Sequence, residues 1–506
     1  MNLIQKALLK YKLEILIVFG LGILYFLLRL YNIMSLPIFT DEAIYVRWSQ
    51  IARQDAAWRF ISLTDGKQPM FVWIAMNIMR IVDDPLLASR LVSVFAGFFT
   101  MIGLFFLANE LFKNIRIGLI SAFLYVIYPF ALVYDRMALY DSLVGMFIIW
   151  GLYFEVLLIR RLRLDIALIL GMIIGGGILT KTSGFFSIYL LPSTLLLFGF
   201  ERKNVISKLL KWIILSLITV SVAYGFYFIL RLSPFFYIIG EKNALFVYPI
   251  SEWMMHPFTY LQSNLSGLWN WFITYFTWPV FLLTILSFFI NFKFLREKLL
   301  LVIWFLIPFV ALIFFGKTIY PRFIFFMTLP LLPLVGFSIF SMFERLKNKY
   351  LSLLIIGVFL IFFFKADYFV LTDFKNAPIA GPDLGQYIND WPAGGGIKEI
   401  VSYLDHESKK QKIFVVSPGT FGSLPTYSVE IYLGTNKNID KQGIFPVPSE
   451  IPKEFIEKSK KMPVYVFVSS QKEFEDLIKL WPVEEVLRVS KGRESSYSIL
   501  YIVKSS

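Results

Sequence analysis

The sequence predicts a polytopic α-helical membrane protein with a small α/β domain towards its C-terminal end, and three observations predict it. Hydrophobic residues make up 57% and aromatic residues 18% of the 506-residue chain, whose mean hydropathy is +0.68. Apolar runs of about 18 or more residues recur over the first three quarters, a length that crosses a bilayer as a helix. Beyond about residue 367 those runs stop, while charged residues, Pro and Gly become more frequent. Inside hydrocarbon the backbone must satisfy its own polar groups, so the long runs are read as helices.

Composition also excludes. Without cysteine there are no disulfides, no thiol catalysis and no Cys-bound metal, and two histidines leave little room for a His-rich site. The net charge of +14 does not indicate a nucleic-acid partner. Lys and Arg fall mainly in short clusters between apolar segments, and such clusters orient a chain in membrane lipid. The first apolar segment is too long for a cleaved leader and lacks a small-residue cleavage site, so it is read as a retained span.

The basic clusters set the expected order of elements. Lys6, Lys10 and Lys12 place the N-terminus on the cytoplasmic side, so a span at about 13–31 leads outwards. Residues 32–85 form an outer loop, in which the apolar piece Pro69 to Val82 is too short to span and reads as an interfacial helix. Spans at about 86–108 and 117–134 flank Lys113 and Arg116. A span at about 142–159 returns to Arg160, Arg161 and Arg163, and residues 166–200 form a hairpin of two short spans turning at Thr180 to Ser183. After Arg202, Lys203, Lys208 and Lys211 comes a span at about 212–231, then an aromatic outer loop at about 232–272. Spans at about 274–292 and 299–315 enclose Lys293, Arg296 and Lys298. A span at about 322–343 reaches Arg345, Lys347 and Lys349, and a last one at about 350–366 leads out. About eleven spans result, an odd number, which puts the C-terminal domain outside the plasma membrane. The expected division is 1–366, a transmembrane domain, and 367–506, an extracytoplasmic α/β domain. In the latter, strand-like runs at 412–416, 464–468 and 498–503 alternate with helix-like runs at 397–410 and 472–480.

This order sends the unusual polar residues to one face. Asp41, Glu42, Lys67, Asp135, Arg136, Asp141, Lys181, His256, Lys317, Tyr320 and Arg322 all fall on outer loops or outer span ends. Carboxylates and cations gathered from separate helices suit a charged substrate: the former for proton or metal work, the latter for a phosphate. Each also has a plainer reading. Asp41 and Glu42 suit the first turn of a helix, Asp135 and Arg136 a local surface pair, Asp141 an N-cap, Lys181 a snorkelling side chain, Arg322 an interfacial anchor and His256 a structural role. The sequence requires no cofactor; Asp41, Glu42 and His256 are the candidate ligands for a divalent metal.

Several strings carry a family resemblance, in order along residues 25–335. RLYNIMSLPIFTDEAIYVRW (29–48) resembles the first outer loop of the protein O-mannosyltransferase and aminoarabinose (lipid A) transferase superfamily, GT-C glycosyltransferases that use polyprenyl-phosphate sugars. DGKQPMFVW (65–73), SRLVSVFAG (89–97), YDRMALYDSLVGMF (134–147), GGILTKTSGF (176–185) and YPRFIFFMTLPLLPL (320–334) are similar to its later motifs. The resemblance implies a GT-C fold, with Asp41 as catalytic carboxylate and Glu42 beside it. It also implies Lys67 and Arg322 as holders of the lipid phosphate, and Asp141 in support. Arg136, Lys181 and Lys317 are further candidates for the phosphate and substrate. The chain departs from the family by carrying Ile44 where aminoarabinose transferases have an arginine, with Arg47 one turn on, and Gln68-Pro69 in place of Pro-Pro.

The expected chemistry is transfer of a sugar from undecaprenyl or dolichyl phosphate to a hydroxyl of a protein, lipid or glycan acceptor. Asp41 would take the acceptor's proton, with inversion at the anomeric carbon. An oligosaccharyltransferase on the same scaffold is one alternative, and the C-terminal domain lacks a Trp-Trp-Asp-Tyr-Gly-like motif. A lipid or sugar transporter is the other. It predicts mid-span charges and broken helices, whereas the sequence places its charges at outer ends.

Overall fold

The computed structural model describes residues 12–199, 204–346, 348–469, 472–492 and 495–504. Lys6, Lys10, Arg202, Lys203 and Lys347, used above to orient the chain, lie outside the described residues. In chain order the principal helices are α1 (Lys12–Leu30), α2 (Thr40–Gln54), α3 (Met70–Ile78), α4 (Pro85–Phe112), α5 (Ile115–Val126), α6 (Pro129–Tyr134), α7 (Tyr140–Arg161) and α8 (Leu164–Thr180). There follow α9 (Val205–Phe228), α10 (Ile238–Phe246), α11 (Ile250–Met255), α12 (Leu261–Phe276), α13 (Trp278–Ile290), α14 (Leu295–Phe315), α15 (Leu332–Arg345) and α16 (Lys349–Thr372). Among the described residues seven helices are long and apolar enough to cross a membrane, or eight if the bent pair α12–α13 counts as one. Shorter apolar helices at Ile115–Val126, Leu164–Thr180 and Thr182–Leu197 occupy three further expected spans.

Three expectations need correction. The span read at 117–134 is broken between α5 and α6, because Pro129 has no N–H to give and its ring opposes the carbonyl one turn back. The span read at 274–292 begins only at Trp278: Thr277 takes φ +61°, and α12 meets α13 at a 91° bend. The loop read at 232–272 is largely helical (α10, α11 and the start of α12). The buried residues Asn264, Leu268, Phe272 and Tyr275 recur at helical spacing on α12. Charges are not confined to helix ends either, since Glu155 within α7 is fully buried and Asp367 within α16 nearly so.

Packing divides the chain into two compact units that do not follow a single boundary in sequence. The first comprises Met1–Tyr31, Ala57–Ile74 and Arg90–Ala380. The second comprises Asn32–Ala56, Ala75–Ser89 and Gly381–Ser506. The helix that carries Asp41 therefore belongs wholly with the C-terminal residues, and α16 continues as helix to Thr372, past the expected boundary at 366.

The second unit is built on a five-stranded sheet. Its strands are β1 (Ile413–Pro418), β2 (Ile439–Ile444), β3 (Val464–Ser469), β4 (Val483–Ser490) and β5 (Tyr497–Val503), in the order β2-β1-β3-β5-β4. β1 pairs in parallel with β2 and β3, while β5 runs antiparallel to β3 and β4. The central β1 and β3 are buried throughout, which is why their continuous apolar runs were legible. β2 and β4 escaped the sequence reading because an edge strand half in water carries a diluted pattern: IDKQGI and VEEVLRVS. Helices α17 (Ile397–Lys410), α18 (Leu424–Leu433), α19 (Lys453–Ser459) and α20 (Lys472–Ile478) complete the unit.

Lys491 closes one end of this sheet. Its Nζ donates to Ser469 Oγ at 2.8 Å and to the carbonyls of Asp390 and Trp391 at 3.3 Å each. Burial outweighs the attraction of the Asp390 carboxylate and pushes the ammonium down to about 7. Because the folded value lies below the unfolded one, the unfolded chain holds more protons between about pH 7 and 10.5, and stability rises through that window. Thermal unfolding of the full chain is expected to show a rising Tm across it, and Lys491→Met to flatten the rise.

Candidate active site

The first unit is held by a buried ionic knot. Arg29, near the end of α1, lies 3.3 Å from Asp135, and both side chains are wholly excluded from solvent. Asp135 accepts from Tyr25 (3.1 Å), Tyr125 (3.0 Å) and Ser142 (2.8 Å). Arg29 also donates to the carbonyls of Tyr125 and Val126, whose helical partners would have been the nitrogens of Pro129 and Phe130. The proline break removes the regular helical donors from both carbonyls; the Tyr128 N–H still reaches Tyr125 at 3.3 Å, and the guanidinium fork serves both oxygens. Gly97 makes room for this knot: a Cβ there would sit 2.3 Å from the Tyr25 hydroxyl and 2.4 Å from Asp135 Cγ. The local pair expected between Asp135 and Arg136 gives way to this arrangement. Arg136 is itself buried and donates to the carbonyls of Tyr31 (2.8 Å) and Val370 (3.4 Å).

A second polar group in the same unit gathers Lys67, Asp141 and Lys181. Lys67 is presented by a turn that only glycine permits: Gly66 takes φ +65°, and a Cβ there would lie 2.6 Å from Lys242 Cβ and 2.7 Å from the Ile238 carbonyl. Lys242 in turn pairs with Asp65 at 2.6 Å. Lys181 follows the C-terminus of α8 and meets Asp141, in the first turn of α7, at 2.7 Å. Asp141 is therefore an ion-pair partner here, and α7 has Leu139 at its N-cap. The two lysines approach two touching rings. Lys67 Nζ is 5.1 Å from the Phe246 centroid, Lys181 Nζ is 4.9 Å from that of Phe323, and the rings are 5.8 Å apart edge to face.

The segment 316–323 is tied to this group. Val247 bridges Gly316, Lys317 donates its N–H to the Phe246 carbonyl at 2.8 Å, and Tyr320 packs on Phe323 at 5.7 Å. Arg322 lies over the Tyr320 ring at 5.2 Å. Lys317 is exposed, 3.5 Å from Glu252 and 5.1 Å from the Tyr248 ring. Gln68 donates to Thr182 at 2.8 Å and so joins the turn after α8. Thr182 and Phe323 lie inside the quoted strings 176–185 and 320–334 without a role assigned to them, and Phe246 lies in the aromatic outer loop. That aromatic richness was the only signal for Phe246.

In the second unit, α2 carries Asp41 and Glu42 in its first turn, where carboxylates favour the helix dipole. Their environments differ. Glu42 is fully buried and accepts the Phe39 N–H at 3.0 Å, one half of a capping box, whereas Asp41 is only half-buried. Arg47 pairs with Glu430 at 2.7 Å. Among the described residues no group of three or more His, Asp or Glu could hold a metal ion. Of the residues read as candidate metal ligands, Glu42 is engaged at its own helix start and His256 is exposed after α11.

Residues 66–226 match the family model described as dolichyl-phosphate-mannose-protein mannosyltransferase, a stretch that includes Lys67, Arg136, Asp141 and Lys181. ArnT from Cupriavidus metallidurans, solved bound to undecaprenyl phosphate, superposes with a TM-score of 0.57 at 14% identity, covering 98% of this chain and 99% of that one. The fold is that of the GT-C glycosyltransferases. The archaeal oligosaccharyltransferase AglB from Archaeoglobus fulgidus, in complex with an inhibitory peptide and a dolichol-phosphate, shares this GT-C fold at a TM-score of 0.55 and 12% identity. That match covers 94% of this chain and 73% of the other. An Archaeoglobus fulgidus oligosaccharyltransferase in complex with Zn and sulfate gives 0.56 at 14% identity, over 92% and 69%. No curated protein matches by sequence.

Proposed function

We propose that this protein is an integral-membrane glycosyltransferase that moves a sugar from a polyprenyl-phosphate donor to an acceptor hydroxyl on the outer face. The observation that carries the reading is the pair Lys67 and Lys181 drawn onto touching aromatic rings in a GT-C membrane unit. Cations in such surroundings suit an anionic lipid headgroup, because fewer waters compete for the phosphate oxygens. The solved relatives of this fold that hold undecaprenyl phosphate or dolichol-phosphate support it.

In the reaction, the acceptor oxygen attacks the anomeric carbon opposite the phosphate, its new C–O bond forming as the bond to the phosphate oxygen breaks. Asp41 receives the hydroxyl proton, and Lys67, Lys181 and Arg322 balance the charge left on the departing polyprenyl phosphate. Inversion follows from single displacement. No step is routed through a metal.

A second reading, transport of the lipid-linked sugar, is favoured by Glu155. Its carboxyl is fully buried within α7, and neither oxygen has a hydrogen-bond partner among the described residues. Purified protein in lipid vesicles, given radiolabelled polyprenyl-phosphate hexose or pentose, separates the two. Release of polyprenyl phosphate with label on an acceptor supports transfer, and movement of intact donor across the bilayer without cleavage overturns it. In the same assay Lys67→Ala is expected to lower kcat/KM for donor by roughly ten- to a hundredfold, the range of a hydrogen bond to a charged group. Lys181→Ala is a less clean probe, since it leaves Asp141 buried without this partner.

A further inference from the structure

The helix that bears Asp41 is built into the α/β unit, and this has a consequence for the reaction. At its start, Phe39 forms an antiparallel bridge with Ala393, and Thr40 directs both its N–H (3.0 Å) and its hydroxyl (3.1 Å) at the Pro392 carbonyl. Further along, Arg47 Nε donates to Glu430 Oε2 at 2.7 Å, and Gln50 Nε2 to the Ile431 carbonyl at 3.0 Å. Between these points Ala43 and Val46 share one apolar core with Leu424, Val429, Ile431 and Leu433 of α18. Trp48 packs against Phe421 at 6.3 Å in the loop before α18.

Two separated attachments restrain a helix in a way that one cannot. The Thr40–Pro392 contact holds the end next to Asp41 but leaves the helix to pivot and roll about it. Arg47 lies six residues after Asp41, about 9 Å along the axis at 1.5 Å per residue, so its clamp to α18 restrains tilt and roll together. We propose that Arg47 and Glu430 are positioning residues: their ion pair on α18 holds α2 so that the Asp41 carboxylate meets the acceptor hydroxyl in reacting geometry. This rests on Asp41 being the base. It also gives Arg47 a role other than standing in for the arginine that aminoarabinose transferases carry at the position of Ile44. Its guanidinium is committed to Glu430 within the α/β unit.

Magnitudes separate this role from a structural one. The Arg47 and Glu430 side chains are 23% and 31% exposed, and a pair so placed contributes little to folding. General-base catalysis is far more demanding, since a displacement of about 1 Å can cost a hundredfold in rate. The test uses the full-length protein in lipid, with polyprenyl-phosphate sugar and acceptor. Arg47→Met and Glu430→Ala are each expected to lower kcat about tenfold, leaving donor KM and Tm nearly unchanged. The double variant is expected to be no slower than either single one, because both remove the same pair. Arg47→Lys, which keeps the charge, is expected to recover most of the rate. Unchanged kcat in both single variants overturns the proposal while Asp41→Asn, run alongside, still reports on the base. A raised donor KM with intact kcat in Arg47→Met alone also overturns it and returns Arg47 to the phosphate. Full activity in Asp41→Asn removes the base, and the positioning role with it.

Discussion

Replacing Asp41 by asparagine is expected to lower sugar transfer by roughly a hundred- to ten-thousandfold, the share that a positioned general base contributes. Asparagine keeps the size and an acceptor oxygen but cannot take the proton of the attacking hydroxyl. Donor binding should persist, since the groups assigned to the phosphate are cationic and lie elsewhere in the sequence. Glu42→Gln is the internal contrast. Glu42 is fully buried and caps the Phe39 N–H, and the glutamine carbonyl can still accept that bond. Its effect is expected in Tm rather than in kcat. Turnover of labelled donor by the two purified variants, each with its melting curve, decides the matter. Equal loss of rate in both would assign the chemistry to the pair, and full activity in Asp41→Asn would remove it from Asp41.

Arg29→Met should produce the largest loss of stability of any single substitution considered. It strips the charge partner from Asp135, whose side chain is entirely buried, and removes the guanidinium donors from the carbonyls of Tyr125 and Val126 beside the Pro129 break. Breaking a buried pair from one side costs roughly 3–5 kcal/mol, because an uncompensated charge stays in a medium of low polarity. The double variant Arg29→Met with Asp135→Leu should recover part of that loss, since no lone charge then remains. Thermal unfolding in detergent or lipid measures both. A Tm for Arg29→Met equal to wild type would show that the knot carries no net stability.

The knot also shows where sequence reading succeeds and stops. Arg29 was quoted as part of a motif and Asp135 as one of a pair, but the partner assigned to Asp135 was its neighbour in sequence. The true partner is 106 positions away. A buried carboxylate is satisfied by whichever donors the helices bring near it, and those arise from packing. Lys181 and Asp141 were likewise both candidates, yet their 2.7 Å contact follows from α7 and α8 lying antiparallel. Phe246 had no sequence signal beyond aromatic richness, and Phe323, though inside the quoted string 320–334, was not marked as a ring for a lysine.

By itself the sequence determined the membrane-helical class, the apolar segments, the buried strands β1, β3 and β5, and the set of charged residues around which a site could form. Each is written in local composition or period, because burial of a helix or a central strand forces consecutive residues to be apolar. The tertiary structure alone decided that the helix bearing Asp41 packs in the C-terminal unit, that Glu42 caps while Asp41 stays half-buried, and that Arg47 is held by Glu430. These depend on pairings between segments as much as 383 residues apart. No local pattern encodes such contacts, since a polar side chain on a helix surface looks the same in sequence whether it faces water, a phosphate or a partner.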